Sequence, residues 1–441
     1  MSITWALTVF DPDAASTYNF TDRLQGFDVK QMAHPARLGT GEAIFRLSNF
    51  DGALTPNGSG TYAGVDWASS VFKLAMNTTT DYHEVFEGFA ADFIVTDDGV
   101  TSFIDFVCDD PYAIVGRGLN ETAFVTASGS GFISIPETIQ NLINLGARFK
   151  SINGIKLPKL NQTSAEAEVI DVSLMEATVN YARHNAEGRV GERIANGMLP
   201  ATAGVIWPGT YRTSGGVVYW RSYCVGEGLS ADTTDATRIE HTLTETLTGA
   251  AGEAVLDTLQ TGHNLSEITN SVNITVQAGI EVLGAKYESR NDSSAEKYGE
   301  RGANWPNHMQ ARTRGTTGGL PNPVPINLEP YAQALTKRFS EYRYTARTAS
   351  TKQSQNTTAN AEAEFGYLCD IRYGIWAPCS VKYTPTGAAS QITDVTVITR
   401  RRLRGTPSDV TLELELLPAI DYQSLVLDSD MLGTLDYNRL G

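Results

Sequence analysis

Three acidic pairs, Asp11 with Asp13, Asp97 with Asp98 and Asp109 with Asp110, are the sequence's nearest approach to a general acid and base. Two such carboxylates cleave a glycosidic bond when they flank it. Neighbouring acids on a strand or its turn point apart, so each pair reads instead as a solvated turn. The histidines His34, His83, His184, His241, His263 and His308 are widely separated, and none falls in HExxH or a comparable ligand spacing. Leu38-Gly39-Thr40-Gly41-Glu42-Ala43 holds GxG without a third glycine or a strand-to-helix setting, and Ser128-Gly129-Ser130-Gly131 is no nucleophile elbow. Both read as flexible connectors. Cys108, Cys224, Cys369 and Cys379 form no CxxC pair and read as reduced core residues. No catalytic, cofactor-binding or metal-ligating residue is assigned, and no cofactor is expected.

One basic run, Arg400-Arg401-Arg402-Leu403-Arg404, offers four guanidiniums to a phosphate backbone. It falls between two closing strands, however, and Glu413 and Glu415 share one face of the second, so ion pairs within or between chains are its expected use. The whole composition agrees, since 34 Lys and Arg against 50 Asp and Glu leave a net charge of −16, the wrong sign for gripping nucleic acid.

With 441 residues the chain has length for about three domains. Its 41% hydrophobic and 19% charged content supplies cores and excludes wholesale disorder. No apolar run is long enough to span a bilayer, and the opening Met-Ser-Ile-Thr-Trp lacks a basic n-region ahead of an apolar stretch, so a soluble product of a cytoplasm is expected.

Up to residue 118 the pattern is that of strands. Ile44, Arg46 and Ser48 alternate with Phe45 and Leu47 until Asn49-Phe50-Asp51-Gly52 supplies turn chemistry, and Leu54 to Tyr62 reads as a loop. Val85, Phe86, Gly88, Phe89, Phe93 and Ile94 lead to an Asp97-Asp98-Gly99 turn, after which Ile104, Phe106 and Cys108 face away from Asp105 and Asp109. That spacing predicts a half-buried hairpin. From 119 the period changes. Ser134 with Glu137, and Ser173 with Glu176, are capping-box spacings that predict helices, the second carrying Met175, Val179 and Ala182 on one face. Val205-Ile206-Trp207 and Val217-Val218-Tyr219-Trp220 predict a hairpin. Strands return over 238–284, including alternating Val272, Ile274 and Val276. A polar Gly/Pro-rich loop is expected over 290–325, and a helix over 328–344 with Leu328, Tyr331, Leu335, Phe339 and Tyr342 on one stripe. Two strands, Ile392 to Ile398 and Val410 to Leu416, close the chain.

The order of these pieces is more telling than any one of them. An apolar strand ending in Leu47-Ser48-Asn49-Phe50-Asp51-Gly52, then Phe86-Glu87-Gly88-Phe89, then Phe106-Val107-Cys108-Asp109-Asp110-Pro111 resembles the N-terminal domain of tailed-bacteriophage minor tail proteins, the tail-tip or baseplate-hub family. The predicted middle hairpin and the closing helix and strands resemble the rest of that family. The resemblance implies a mainly β chain with two tail-tube-like β domains, 1–118 and 238–441, around a mixed α/β insertion at 119–237. It implies trimers whose six tube-like domains form a pseudo-sixfold ring in the virion tail tip, after synthesis in the host cytoplasm. The implied partners are other copies of the chain, a distal tail or tail tube protein, the tape-measure protein, and tip or fibre proteins, with DNA only in passage and no membrane span. A bore that passes DNA should repel phosphate, which suits the negative charge. Strand edges near Asp105 and Val272 and the 290–325 segment are the expected contacts between copies, with Trp207, Trp220 and Trp305 as anchors or core residues. The alternatives are a carbohydrate- or wall-degrading tail enzyme and a host receptor-binding module. The sequence shows no fibre or lysin domain after its last strand, which weighs against both.

Overall fold

Alternation of buried and exposed side chains builds a mainly β chain. The computed structural model describes residues 3–113 apart from 12–13, 15, 35–36, 56–57, 98 and 100, then 239–262, 268–278, 281–308, 311–317, 320–325 and 345–418. Elsewhere it describes the short strands named below, together with Gln333, Thr336 and Ser340. Among the described residues the main sheet has fourteen strands: β1 (Thr4–Asp11), β2 (Ser16–Asn19), β3 (Leu24–His34), β4 (Arg37–Ser48), β5 (Val71–Asn77), β6 (Tyr82–Asp97), β7 (Ser102–Asp109), β8 (His241–Thr244), β9 (Glu253–Val255), β10 (Thr258–Gly262), β11 (Thr345–Lys352), β12 (Pro378–Tyr383), β13 (Ile392–Thr406) and β14 (Asp409–Pro418). In β4, Ala43, Phe45 and Leu47 are buried while Glu42, Ile44 and Arg46 face solvent, the signature of a sheet covered on one side.

An eight-strand antiparallel path, β10–β11–β14–β13–β3–β4–β7–β6, runs through this sheet. Each half has the same winding. In the first half the chain order β3, β4, β6, β7 becomes the spatial order first, second, fourth, third, and β10, β11, β13, β14 repeat it. In each half the long third strand changes neighbours at an irregularity. β6 leaves β5 for β7 around a shift between Ala90 and Asp92, and β13 leaves β12 for β3 around a shift between Ile398 and Arg400. This repeated winding rests on hydrogen-bond partners and side-chain alternation, which many residues satisfy.

The 290–325 segment is structured: α1 (Asp292–Tyr298) is followed by strands Gly302–His308, Ala311–Thr317 and Leu320–Pro325. Among the described residues, Pro321, Pro323 and Pro325 sit on a strand that pairs only with Ala311–Thr317, an edge position where proline is tolerated. The helix expected from Ser173 is a strand at Ala177–Asn180, where β-branched Thr178 and Val179 pair between Phe132–Ser134 and Ala311–Thr317. Ser134, expected to cap a helix, ends the strand Phe132–Ser134, and 135–150 lie outside the described residues. Gly39 and Gly41 are strand residues of β4, not a connector. Asp105 and Val272 are not at edges: β7 pairs with β4 and β6, and Ser271–Ala278 lies between Glu281–Arg290 and Gly302–His308. The predicted hairpin at Val205–Ser214 and Val217–Val225 is present, with Trp207 opposite Tyr223. The helix expected over 328–344 falls outside the described residues except at Gln333, Thr336 and Ser340, as do Ser128–Gly131, Asp13, Asp98, His184 and His263.

Candidate functional site

The junction of the two halves is where the chain's unusual chemistry collects. β13 pairs with β3 from Arg400 opposite Met32 to Gly405 opposite Phe27. The basic run therefore lies within a strand, not between strands, because its alternating charges pair across the sheet. On the outward face Arg400 meets Glu415 at 2.6 Å, Arg404 meets Glu413 at 3.3 Å, and Arg402 meets Asp28 at 2.6 Å, so the expected ion pairing holds. Burial opposes ionisation of Asp28, but Arg402 holds its carboxylate below the usual range. Such half-exposed pairs contribute only about 0.2–1 kcal/mol each. They set register more than they add stability.

Arg401 faces inward and is fully buried. Its Nε donates to Gln31 Oε1 at 2.8 Å, one terminal nitrogen to the Val85 carbonyl at 2.8 Å, and the other to the Cys369 carbonyl. Burial lowers its pKa to about 10, which leaves it charged at neutral pH. Three fixed acceptors, drawn from β3, β6 and a helix, thus converge on one guanidinium, whose planar fork suits them. That helix, α2 (Ala359–Cys369), is capped by the Thr358 hydroxyl, which accepts the Ala361 N–H. Its flank reaches both halves. Glu362 accepts the Thr79 N–H and hydroxyl, each at 2.8 Å, and Asp370, just past the helix, lies 3.3 Å from buried His83. Toward the other half, Glu364 meets His241 Nδ1 at 2.6 Å, while His241 Nε2 meets the Tyr373 carbonyl at 2.8 Å. A Cβ at Gly366 would lie 2.4 Å from His83 Nε2, so glycine is what lets the helix approach.

The resemblance motifs have physical work to do around this junction. Asn49 closes the strand-ending turn by accepting the Leu54 N–H at 2.9 Å, and Gly52 takes a left-handed φ of 64°. At Gly88, still on the part of β6 paired with β5, a Cβ would stand 2.5 Å from the Asp109 carbonyl. Asp11, Asp109 and Asp110 are buried, which corrects the solvated-turn reading for them, whereas Asp97 caps its exposed turn by accepting the Gly99 N–H at 3.0 Å. Asp110 Oδ1 accepts the Ala113 N–H at 2.7 Å, and burial pushes its carboxyl well above the ordinary range. A carboxyl raised in the folded state contributes stability below its unfolded pKa of about 3.9, and that contribution is lost as pH rises toward the folded pKa. Asp110→Asn keeps the acceptor and cannot ionise. It is expected to match the parent near pH 4 and to exceed it increasingly toward neutrality, measured as melting temperature against pH. A constant offset would assign the titration to another group.

Cys108, Cys369 and Cys379 are buried free thiols, pushed upward in pKa by burial, as expected for inert core residues. Trp207 is buried, and its indole donates to the Ile371 carbonyl at 3.0 Å; the Trp220 and Trp305 side chains lie outside the described residues. Among the described residues no group of three or more His, Cys, Asp or Glu is placed to hold a metal, and no helix is long and apolar enough to cross a membrane. Sequence reasoning missed Arg401's burial, the two His–carboxylate contacts and α2.

Aligned with solved structures, the chain superposes on the tail protein from Neisseria meningitidis MC58 with a TM-score of 0.52 at 10% identity, over 96% of this chain and 99% of that one. The chain has the tail-protein fold. The 43 kDa tail protein of prophage MuSo2 from Shewanella oneidensis aligns more weakly (TM-score 0.49, 10% identity, 95% of this chain and 99% of that one). So does prophage tail protein gp18 from Listeria monocytogenes EGD-e (TM-score 0.45, 12% identity, 93% and 94%). No family model matches the sequence, and no curated protein matches it. At such identity the likeness is one of fold, and no residue's role passes across.

Proposed function

We propose that this chain is a structural hub protein of a phage tail tip or baseplate, without catalytic residues, whose copies form a ring that continues the tail tube and connects it to the tip for DNA delivery. One observation carries the reading: two halves of identical winding are already joined edge to edge within a single chain. Three such chains joined the same way give six like units, matching a hexameric tube above and a threefold tip below. Closure also removes the sheet edges that would otherwise invite uncontrolled pairing. On this reading 1–118 and 238–441 are the tube-like units, and 119–237 is the insertion between them. The partners are a distal tail or tail tube protein, the tape-measure protein, and tip or fibre proteins, with the chain resident in the virion tail.

DNA is a passenger here. Along the junction's outward face Lys30, Arg46, Arg400, Arg402 and Arg404 stand against Asp28, Glu42, Asp105, Glu413 and Glu415, so this face offers no net charge to phosphate and the surplus of the net −16 lies elsewhere. Cryo-electron microscopy of the intact tail is the deciding experiment. The expected result is three copies in one ring coaxial with the tube. A single copy at the fibre extremity, or hydrolysis of purified capsule or peptidoglycan by the isolated chain, would overturn the reading.

A further inference from the structure

We propose that the outward face of the eight-strand path lines the bore and presents passing DNA with an electrically level wall. Each row of side chains across that face carries its exposed charges in equal numbers of both signs. This rests on the ring reading and adds which face turns inward and how that face treats the DNA.

Strand register shows the balance. Three rows cross the junction from one half to the other on this face. In the first, Glu415 and Arg400 stand among uncharged Gln260, Thr348, Met32 and Thr40. In the second, Glu413, Arg402, Lys30 and Glu42 follow one another across four strands. The third holds Lys352 and Arg404 with Asp28 and Asp92, linked through the uncharged residues between them. A shorter row past the third sets Arg46 against Asp105. Asp109 ends the second row but is buried. The balance exists only across strands: β13 alone gives this face Arg400, Arg402 and Arg404, and β14 answers with Glu413 and Glu415.

Neighbouring strands lie about 4.8 Å apart, closer than the screening length of about 8 Å at physiological salt, so at the DNA the opposite charges of one row merge. A row with a surplus, repeated by three copies, would be a charged hoop. A cationic hoop would hold each phosphate that reached it, and an acidic one would bar the way. A column of like charge along one strand is different, because strands joined edge to edge run along the axis and DNA sliding beside a column meets the same sign throughout. Shape supplies the second observation. A hollow of about 580 Å³ lies on this face between β10, β11, β14 and β13, lined by Gln260, Thr348, Arg402 and Glu413, so the sheet is concave there. Phe365 and Leu368 of α2 pack into the core on the other side, whereas the Arg404 and Glu415 side chains are 56% and 51% exposed. A sheet that closes with its filled face outward puts this hollow face inside.

Two experiments on tails reconstituted with full-length variants test this. Thr411→Cys puts a thiol on the proposed wall. In the isolated chain it should react both with a small maleimide and with a maleimide carried on streptavidin, the parent chain serving as background. In assembled tails only the small reagent should reach it. Reaction there with both reagents, or with neither, overturns the inward facing. The second experiment unbalances one row. Glu415→Gln leaves Arg400 without its opposite and should slow DNA ejection severalfold at low ionic strength, an effect that fades as salt rises. Arg400→Gln alone should also slow ejection, and the double variant should return it to the parental rate. Equal rates for the parent and every variant, or a double variant slower than either single one, overturn the level wall. A ring in which Thr411→Cys stays open to the bulky reagent overturns the facing and leaves the ring standing, whereas tails in which the chain forms no ring overturn both.

Discussion

Arg401→Met is expected to lower folding stability by about 3–5 kcal/mol, measured as a fall in the urea midpoint, although it replaces a charge with an apolar side chain of similar length. Exchanging a buried ion for hydrocarbon is often harmless when its partners are exchanged too. Here two of the three acceptors are the Val85 and Cys369 backbone carbonyls, which no substitution removes, and the third is Gln31. Each is left without a donor, at about 1–3 kcal/mol apiece before relaxation. Arg401→Lys should recover part of the loss, since one ammonium supplies charge without the fork. Arg400→Ala and Arg404→Ala, which break exposed pairs of the same strand, should each cost less than about 1 kcal/mol. A melt for Arg401→Met indistinguishable from that of Arg404→Ala would show that the junction holds without its central guanidinium.

That contrast within one run marks how far the sequence could be read. Four arginines with glutamates two apart on the next strand foretold ion pairing, and the pairing is there. Nothing in the run singles out Arg401 as inward-facing, because alternation gives the period and leaves open which phase is buried. The phase is decided by Leu403, Leu412 and Leu414, buried on the same face, and by β3 arriving from hundreds of residues away. The first-half strands were legible for the opposite reason: Phe45, Leu47, Ile104 and Phe106 declare their face locally. The helix α2 was illegible because its buried positions include Glu362 and Glu364 while its more exposed stripe is Asn360, Ala363 and Tyr367, so polarity does not follow burial along it. In the 290–325 segment, glycine and proline counted as loop residues when they mark the turn and edge positions of paired strands. The acidic corner at Asp110 was misread for want of tertiary context, since its neighbour Pro111 signals a turn but cannot reveal that the turn is buried.

Trp207→Ala is expected to cost about 3–5 kcal/mol through lost burial alone. Its indole is fully buried in the core shared with Phe45 and Phe365, although it belongs to the Val205–Ser214 strand, far from either in sequence. Removing it also leaves the Ile371 carbonyl without its N–H donor. Trp207→Phe should separate the two effects, retaining most of the ring's burial and losing about 1–3 kcal/mol for the unsatisfied carbonyl. The strand's seat is shaped from the other side by Gly39, where a Cβ would fall 2.3 Å from the Ile206 carbonyl and 2.9 Å from Trp207 Cβ. Gly39→Ala should therefore displace the same strand. Because both substitutions unseat one contact, the double variant should lose less than the sum of the two, a coupling that independent sites do not show. Hydrogen exchange distinguishes the outcomes: deprotection confined to 205–225 means that this hairpin is only clamped onto the main sheet, whereas loss of protection across β3 and β4 as well means that Trp207 is part of what holds the joined halves together.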